Sequence, residues 1–551
     1  MYRPIKFLIV SISLATLTAC SGGGGGSSAP SVTFDPANNA TGVEPTANVT
    51  ATFPFDVLGA SVDATTVTLN DGSSVAGLVS FDGATNVATF DPDSKLALLR
   101  EHTIAVTNGI TNLSGDPITQ AQASFTTRDG AWGTAEKRED DDVKEVSELS
   151  VATDADGNAI AVWYQSPNVY ASYYTVADDT WSARAQIDLN GGVDLTTGAA
   201  HPLVKMDYNG NAIAVWSHYE SSVQQIYANH YDKVTGWSDT ATKIDAATAG
   251  SEWKPQIGFD NENDAVLVWS NSTDDSIRAA HFDSSMDTWG ASIALENSAN
   301  ALVPTSYPSP QVSVTDSGDA IVVWTQNNGA QDVIYAAAYT KSNDTWSTPA
   351  EISDSNDAAE KPRVSIDPSG KAIAVWQQTA DSRNSIFYNI FDNGSWATAT
   401  LLESDDVNSA YYPDIAFSED GSAIAIWEQR GSGDRMIATR RYTSGTWDTL
   451  RTLSRVSTHS IWTPIISVDA QGNAIACWGE RDNDPMVDDH MVVSRYTESN
   501  DSWSASSSLD TDPDMGSYIS CDVSASGYAA ALWLKKDTGE TEQTLWSSVF
   551  K

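Results

Sequence analysis

Gly157-Asn158-Ala159-Ile160-Ala161-Val162-Trp163 returns unchanged as Gly210-Asn211-Ala212-Ile213-Ala214-Val215-Trp216, and looser copies follow to the end of the chain. The tryptophans that close the phrase are Trp163, Trp216, Trp269, Trp324, Trp376, Trp427, Trp478 and Trp533. They lie 53, 53, 55, 52, 51, 51 and 55 residues apart. A repeat of roughly 40–50 residues holding several short strands is the pattern of a β-propeller blade. Around the phrase each repeat carries four strand-like pieces. The first follows a proline, as in Pro362-Arg363-Val364-Ser365-Ile366, and a Gly-containing turn leads into Ala372-Ile373-Ala374-Val375-Trp376. The third runs from an aliphatic residue to an aromatic one, as Ile386 to Phe391, and the fourth opens on a second tryptophan, as Trp346-Ser347-Thr348-Pro349. Short β-branched and aromatic runs between Gly, Asp, Asn and Ser turns read as hairpin-linked strands. No stretch sustains the i, i+3, i+4 apolar spacing of an amphipathic helix.

The last repeat stops at Lys551 without a fourth strand, and the missing piece stands before the first repeat as Gly130-Ala131-Trp132-Gly133. The expected fold is therefore all-β: an Ig-like β-sandwich followed by an eight-bladed β-propeller closed by its N-terminal strand. Closure covers the two sheet edges that an open array exposes. A linear array would instead need polar capping repeats.

The first residues read as an address. Arg3 and Lys6 precede a short apolar run, Phe7 to Leu17, and then Leu17-Thr18-Ala19-Cys20. This resembles the lipobox of bacterial lipoproteins, a resemblance that implies acylation of Cys20 and membrane anchoring through the lipid. The Ser/Gly run Ser21 to Ser28 suits a flexible tether. The expected divisions are 1–19 signal peptide, 20–30 lipidated Cys and tether, 31–127 Ig-like domain and 128–551 propeller. The lipoprotein resemblance, with Ser21 after the Cys, implies an outer-membrane location, on the periplasmic or the cell-surface side.

Without Arg3 and Lys6, 28 basic residues face 73 acidic ones, a net charge of −45. Such a surface repels phosphate polymers, which excludes nucleic acid as an expected partner. It also avoids anionic lipid headgroups, so any membrane attachment falls to the lipid. The acidic excess is compatible with weak Ca²⁺ sites, and no other cofactor is expected. Asp154-Ala155-Asp156-Gly157-Asn158 resembles part of a calcium loop but lacks its closing Glu, and a hairpin turn accounts for it better. Cys477 and Cys521 stand at apolar positions of the last two repeats. They read either as small buried thiols or, in an exported chain, as a disulfide.

Residues 31–127 carry Val32-Thr33-Phe34-Asp35-Pro36, Gly42-Val43-Glu44-Pro45, Phe90-Asp91-Pro92 with Leu96, and the closing Phe125-Thr126-Thr127. Alternating strands over about 100 residues suggest a sandwich. The order of these pieces resembles the bacterial Ig-like domain of the S-layer SbsA type, which implies a spacer or adhesive module without catalytic residues. The repeats are loosely similar to sialidase-like and lectin propellers. The Asp-to-Trp distance of nine, Asp207 to Trp216, departs from the sialidase Asp-box, and no arginine triad matches.

The sixteen repeat tryptophans read as core. Outside that scheme, His201, Trp253, Tyr307, Tyr411, Tyr412, Trp462 and Tyr518 cluster just before the first strand, at what reads as one repeat-equivalent place. In propellers this loop lies beside the central channel. These residues either pack on the adjoining proline or form stacking surfaces for a glycan. Two residues after the repeat tryptophan stand Gln165, Gln326, Gln378 and Gln429, with His218, Asn271, Glu480 and Lys535 in the other repeats. They either satisfy loop backbones or serve as ligand contacts. No zinc spacing, nucleophile elbow or phosphate loop is present in the sequence. The expectation is a surface-anchored lipoprotein whose propeller binds an extracellular glycan or protein. The alternatives are a propeller-fold carbohydrate-active enzyme, glycoside hydrolase or lyase, and an assembly scaffold without a ligand.

Overall fold

The computed structural model describes residues 31–551, apart from 139–144, 192, 195–197, 221–222, 245–251, 273–274, 297–309, 355–356, 381, 404–407, 458–459, 482–489, 511–514 and 537–541. Cys20 and Tyr307 lie outside the described residues, and of Trp253 and Trp462 only the backbone is described. The protein is all-β, with no α-helix among the described residues.

Residues 33–127 form two four-stranded sheets. One runs Thr33–Asp35, Val49–Thr52, Val87–Pro92, Gly77–Asp82 in spatial order, the other Ala40–Val43, Ala121–Thr127, Glu101–Val106, Val67–Asn70. Their strands alternate in burial, and the inward residues Val49, Ala51, Phe90, Leu69, Ile104 and Phe125 are sealed between them. This is what alternation predicts for two sheets packed face to face.

After this sandwich come, among the described residues, eight antiparallel sheets of four or five strands, one per repeat, and a two-stranded one, Leu189–Asn190 with Val193–Asp194. The second strand explains each sheet. In Ala372–Ala380 the first seven residues are all buried, because sheets pack on both of its faces. All eight phrase-ending tryptophans have zero exposure. In five repeats the turn before this strand is closed by its leading Asp. Asp207 accepts from the backbone N–H of Asn209 (2.8 Å) and Asn211 (2.9 Å), while Gly210 takes φ +92°. The same arrangement at Asp154 accounts for the calcium-like stretch as an Asx turn.

The outer tryptophans have a second repeated job. Each leans on the aromatic residue that ends the third strand, as Tyr174–Trp181, Phe282–Trp289, Phe391–Trp396 and Tyr496–Trp503, with centroids 5.2–5.4 Å apart. Trp132 makes the same contact with Phe550 at 5.5 Å. It also forms a β-bridge with Phe550, and Glu136–Lys137 pairs with Thr544–Phe550 as the outer strand of the eighth sheet. Ala131 and Gly133 exchange backbone hydrogen bonds with Lys551 and Val549 on either side of Trp132, so the expected stretch pairs and the contact continues to 136–137.

The first strands of successive sheets pack side by side, and that of the eighth packs on that of the first. Short polar side chains stitch these strands to one another. Ser365 Oγ accepts from Phe417 N (3.0 Å), Asp414 Oδ2 from Ile466 N (3.0 Å) and Ser467 Oγ from Val523 N (3.1 Å). From the eighth strand, Ser520 accepts from Val151 N (3.1 Å) and Asp522 from Thr153 N (2.9 Å). Cys477 in the second strand of repeat 7 and Cys521 in the first strand of repeat 8 form a disulfide, with Cα atoms 6.6 Å apart.

The sandwich sits against the turns that end these first strands. Leu98 has zero exposure and belongs to the same core cluster as Trp163 and Trp533. Leu98 N donates to Ser526 O (2.8 Å), Tyr528 Oη to Leu96 O (3.1 Å) and Lys95 Nζ to Val176 O (2.6 Å).

Candidate functional site

Among the described residues, six first strands run from a bulge at one end to the turn before the second strand at the other. Register breaks fall at Ser147/Leu149, Ala200/Leu203, Trp253/Gln256, Glu360/Arg363, Tyr411/Asp414 and Trp462/Ile465. At each break one residue adopts the left-handed region: Glu148 (φ 51°), His201 (55°), Lys254 (50°), Lys361 (56°), Tyr412 (53°) and Thr463 (49°). A non-glycine residue there costs roughly 1–2 kcal/mol. Six repetitions at one position make it a built feature, and a bulge re-aims side chains where a strand enters a site.

The bulge separates the aromatic residues that the sequence placed together. Trp253, Tyr411 and Trp462 are ladder residues, paired with Ser270, Glu428 and Gly479. His201 and Tyr412 are the bulged residues that follow, and Tyr518 falls in the wider register break between Met515 and Ile519. They therefore occupy two neighbouring positions rather than one, because a one-residue bulge shifts the register. Tyr412 and Tyr518 are 40% and 43% exposed.

The glutamines after the repeat tryptophan are enclosed and hydrogen-bonded inside the fold. Gln165, Gln326, Gln378 and Gln429 are all buried. Trp324 Nε1 donates to Gln326 (2.8 Å), Trp376 to Gln378 (2.8 Å) and Trp427 to Gln429 (3.0 Å). Gln378 also donates to Asp354 O at 3.0 Å, and Gln165 accepts from Arg184 at 2.7 Å. Their job is to satisfy buried indoles and loop carbonyls. Gln378→Leu is expected to lower stability by about 1–3 kcal/mol, the cost of a stranded buried donor. Chemical denaturation of the variant beside the wild type would check it.

Charged groups fill the bulged positions and those beside them. Glu148 accepts from His201 Nδ1 at 2.9 Å. Burial pushes the Glu148 carboxyl up, but the hydrogen bond and charge of His201 outweigh it and hold the group below its ordinary value. Lys361 Nζ lies 4.2 Å over the Tyr412 ring and Arg430 4.0 Å over that of Tyr411. Glu428 takes Arg430 at 3.0 Å and Arg435 at 2.8 Å. Arg363 stands 3.7 Å from Asp414. Burial raises the Asp414 carboxyl above its ordinary value, opposed by Arg363 and by Lys205 four repeats away. Lys254 lies below its ordinary value through burial and then through the charge of Arg363, two repeats on. Charges on the first strands of repeats 1, 2, 3, 5 and 6 thus act on one another. The sequence reading passed over Lys254, Arg363 and Lys205. The column next to the aromatic one, read across the repeats, would have found Lys254 beside His201 and Lys361.

For a metal, the best donor set among the described residues is Asp260, Glu262 and Asp264. Lys341 Nζ already sits 2.5, 2.7 and 2.8 Å from the three carboxylates, so an ammonium fills that place. These groups do not fit the expected weak Ca²⁺ site.

Residues 26–127 match the bacterial Ig-like domain family. No curated protein matches the chain in sequence. Solved structures similar to it include an ulvan lyase from a new polysaccharide lyase family, bound to -[GlcA(1-4)Rha3S]- (9% identity, 66% of this chain and 93% of that one, TM-score 0.44). The Dos1 propeller is similar at 10% identity, 77% and 95% coverage and TM-score 0.45. An α-L-arabinanase of Penicillium chrysogenum complexed with arabinobiose is similar at 16% identity, 51% and 88% coverage and TM-score 0.34. At these scores the likenesses carry no argument about activity.

Proposed function

We propose that this chain is an outer-membrane lipoprotein acylated at Cys20, whose repeats form an eight-bladed β-propeller closed by its N-terminal strand. The Ig-like domain carries the propeller, and the propeller binds an extracellular glycan at the mouth where the first strands begin. The observation behind this reading is the pair Tyr411 and Tyr412 beneath Arg430 and Lys361, with the Tyr412 ring open to solvent, as Tyr518 is in the eighth repeat. Rings offer stacking faces to sugars, and the charged groups offer donors to hydroxyls. Two of the mouth carboxylates support binding over acid–base work, since Asp414 and Glu428 are engaged by arginines. Tyr412→Ala is expected to weaken retention on a glycan array severalfold or more, as truncation of an aromatic anchor does. The melting temperature should hold, because the ring is surface-exposed. If the variant binds like the wild type on every retained glycan, the mouth is not the site.

A second reading, a carbohydrate-active enzyme, rests on the His201–Glu148 pair. That hydrogen bond fixes one ring nitrogen and leaves the other to exchange a proton, which is how a general base is oriented.

A further inference from the structure

Neighbouring repeats meet through one recurring residue, the one before the aromatic that ends the third strand. Across five junctions it packs on the matching aromatic of the next repeat: Tyr173 on Tyr231, His230 on Phe282, His281 on Tyr339, Arg441 on Tyr496 and Arg495 on Phe550. Three of these side chains also lie against a carboxylate, His230 on Asp287 (3.4 Å), Arg441 on Glu498 (2.7 Å) and Arg495 on Asp469 (3.4 Å). The half-buried His281 ring lies 5.8 Å from that of Tyr339 and makes no hydrogen bond or ion pair among the described residues. Repeat 3 departs from the others a second time at the same place. In four repeats the residue after the outer tryptophan returns a side-chain oxygen to this position of the third strand. Ser182 accepts from Tyr173 N (3.0 Å), Ser347 from Ala338 N (2.9 Å), Asp448 from Arg441 N (2.7 Å) and Ser504 from Arg495 N (3.0 Å). Repeat 3 has Gly290 there, which gives only its backbone N–H to His281 O (2.8 Å). Packing does not require this glycine. Its φ is outside the left-handed region, and a Cβ would come no nearer than 3.5 Å to His281 O.

Both departures line one cavity of about 570 Å³ between repeats 3 and 4, a volume in the range of small-ligand sites. Its walls include His281, Asp283 and Gly290 on one side and Tyr339, Asp344 and Trp346 on the other. Lys341 Nζ reaches Asp264 at 2.8 Å and is spent on holding the two repeats together. One oxygen of Asp283 accepts from Ser285 N (3.0 Å) and one of Asp344 from Tyr339 Oη (3.0 Å). The second oxygen of each has no hydrogen-bond partner among the described residues.

We infer that this groove binds a single neutral sugar ring, at a site separate from the mouth. The half-buried Trp346 offers an aromatic surface to the C–H face of the ring. His281 and the second oxygens of Asp283 and Asp344 stand around it as partners for hydroxyls. The same carboxylates repel an anionic sugar. Asp264 belongs to the turn before the second strand, so the groove opens at the end of the sheets away from the bulges. Its occupancy therefore does not depend on the mouth.

The test uses the full chain and ligand-observed NMR. The probes are the methyl glycosides of D-glucose, D-galactose, D-mannose and L-rhamnose, the methyl glycoside of D-glucuronate, and tetramethylammonium. At least one neutral glycoside should bind, and at least tenfold more tightly than the uronate. His281→Ala should weaken that binding at least tenfold. Gly290→Ser should weaken it severalfold, because the added side chain enters the groove. Its melting temperature should hold or rise, because the serine supplies the hydrogen bond that four other repeats make, so this variant separates loss of binding from loss of fold. Binding that survives both variants lies elsewhere and overturns the site. Binding of none of the four neutral glycosides overturns it too. So does a preference for the uronate or for tetramethylammonium, which would make the groove an anion or an organic-cation site.

Discussion

Internal deletion of residues 130–138 is expected to remove cooperative unfolding of the repeat domain. The segment provides the outer strand of the eighth sheet, through Trp132 against Phe550 and Glu136–Lys137 against Ser547 and Trp546. It also ties down the chain end, since Ala131 N donates to Lys551 O at 3.0 Å and Gly133 N to Val549 O at 2.9 Å. Without it Phe550, now 4% exposed, faces water, and the third strand of the last sheet becomes an unprotected edge. Phe550 alone stands for about 1.5–3 kcal/mol of burial, and the ladder bonds add to that. The deletion should give broad, early melting by circular dichroism and a tendency to associate. A deletion protein that melts in one sharp transition near the wild-type temperature would refute the closure.

The second large effect belongs to the disulfide. Cys477 and Cys521 are 44 residues apart in sequence and join two neighbouring sheets. For a closed loop of that length the chain-entropy relation gives about 4 kcal/mol of stabilisation, drawn mainly from the unfolded state. Cys477→Ala/Cys521→Ala should therefore lower the stability of the repeat domain by about 2–4 kcal/mol, since the unlinked chain retains some structure. Denaturant titration with and without reductant measures it. The wild type should lose stability in reductant and the double variant should not. A reductant-insensitive wild type would mean that the pair is not linked in the protein as made.

The repeat was legible in the sequence because its determinants are local and apolar. Ala372-Ile373-Ala374-Val375-Trp376 can only be a strand covered on both faces, and Asp367 to Gly370 can only be the turn before it. The Trp132–Phe550 contact was legible for the same reason, since one tryptophan was missing from one end of the array and present at the other. The site was much less so. Parity along the strand correctly set Gln378 on the Trp376 side, but that side is enclosed, and the amide is spent on the indole. The bulge was invisible, because a single unpaired residue leaves no compositional trace when Glu148, His201, Lys254, Lys361 and Tyr412 share only their backbone angle. A column defined by conformation rather than by residue type does not show in one sequence. Reading aromatic residues alone therefore merged Trp253 with His201 and passed over Lys254.

Leu98 carries a mechanical consequence. The Ig-like sandwich reaches repeat 8 through Ser526 and Tyr528, and repeat 1 through Val176. Its last strand also leads straight into the segment that joins the eighth sheet, with Arg128 Nη1 donating to Lys551 O at 3.1 Å. The sandwich is thus a clasp fastened over the seam where the two ends of the repeat array meet. It grips the end of the first strands that bears the Asp-Gly turns, the end away from the mouth. Traction applied through the sandwich is shared by its contacts to repeats 8 and 1 before it falls on the closing strand alone.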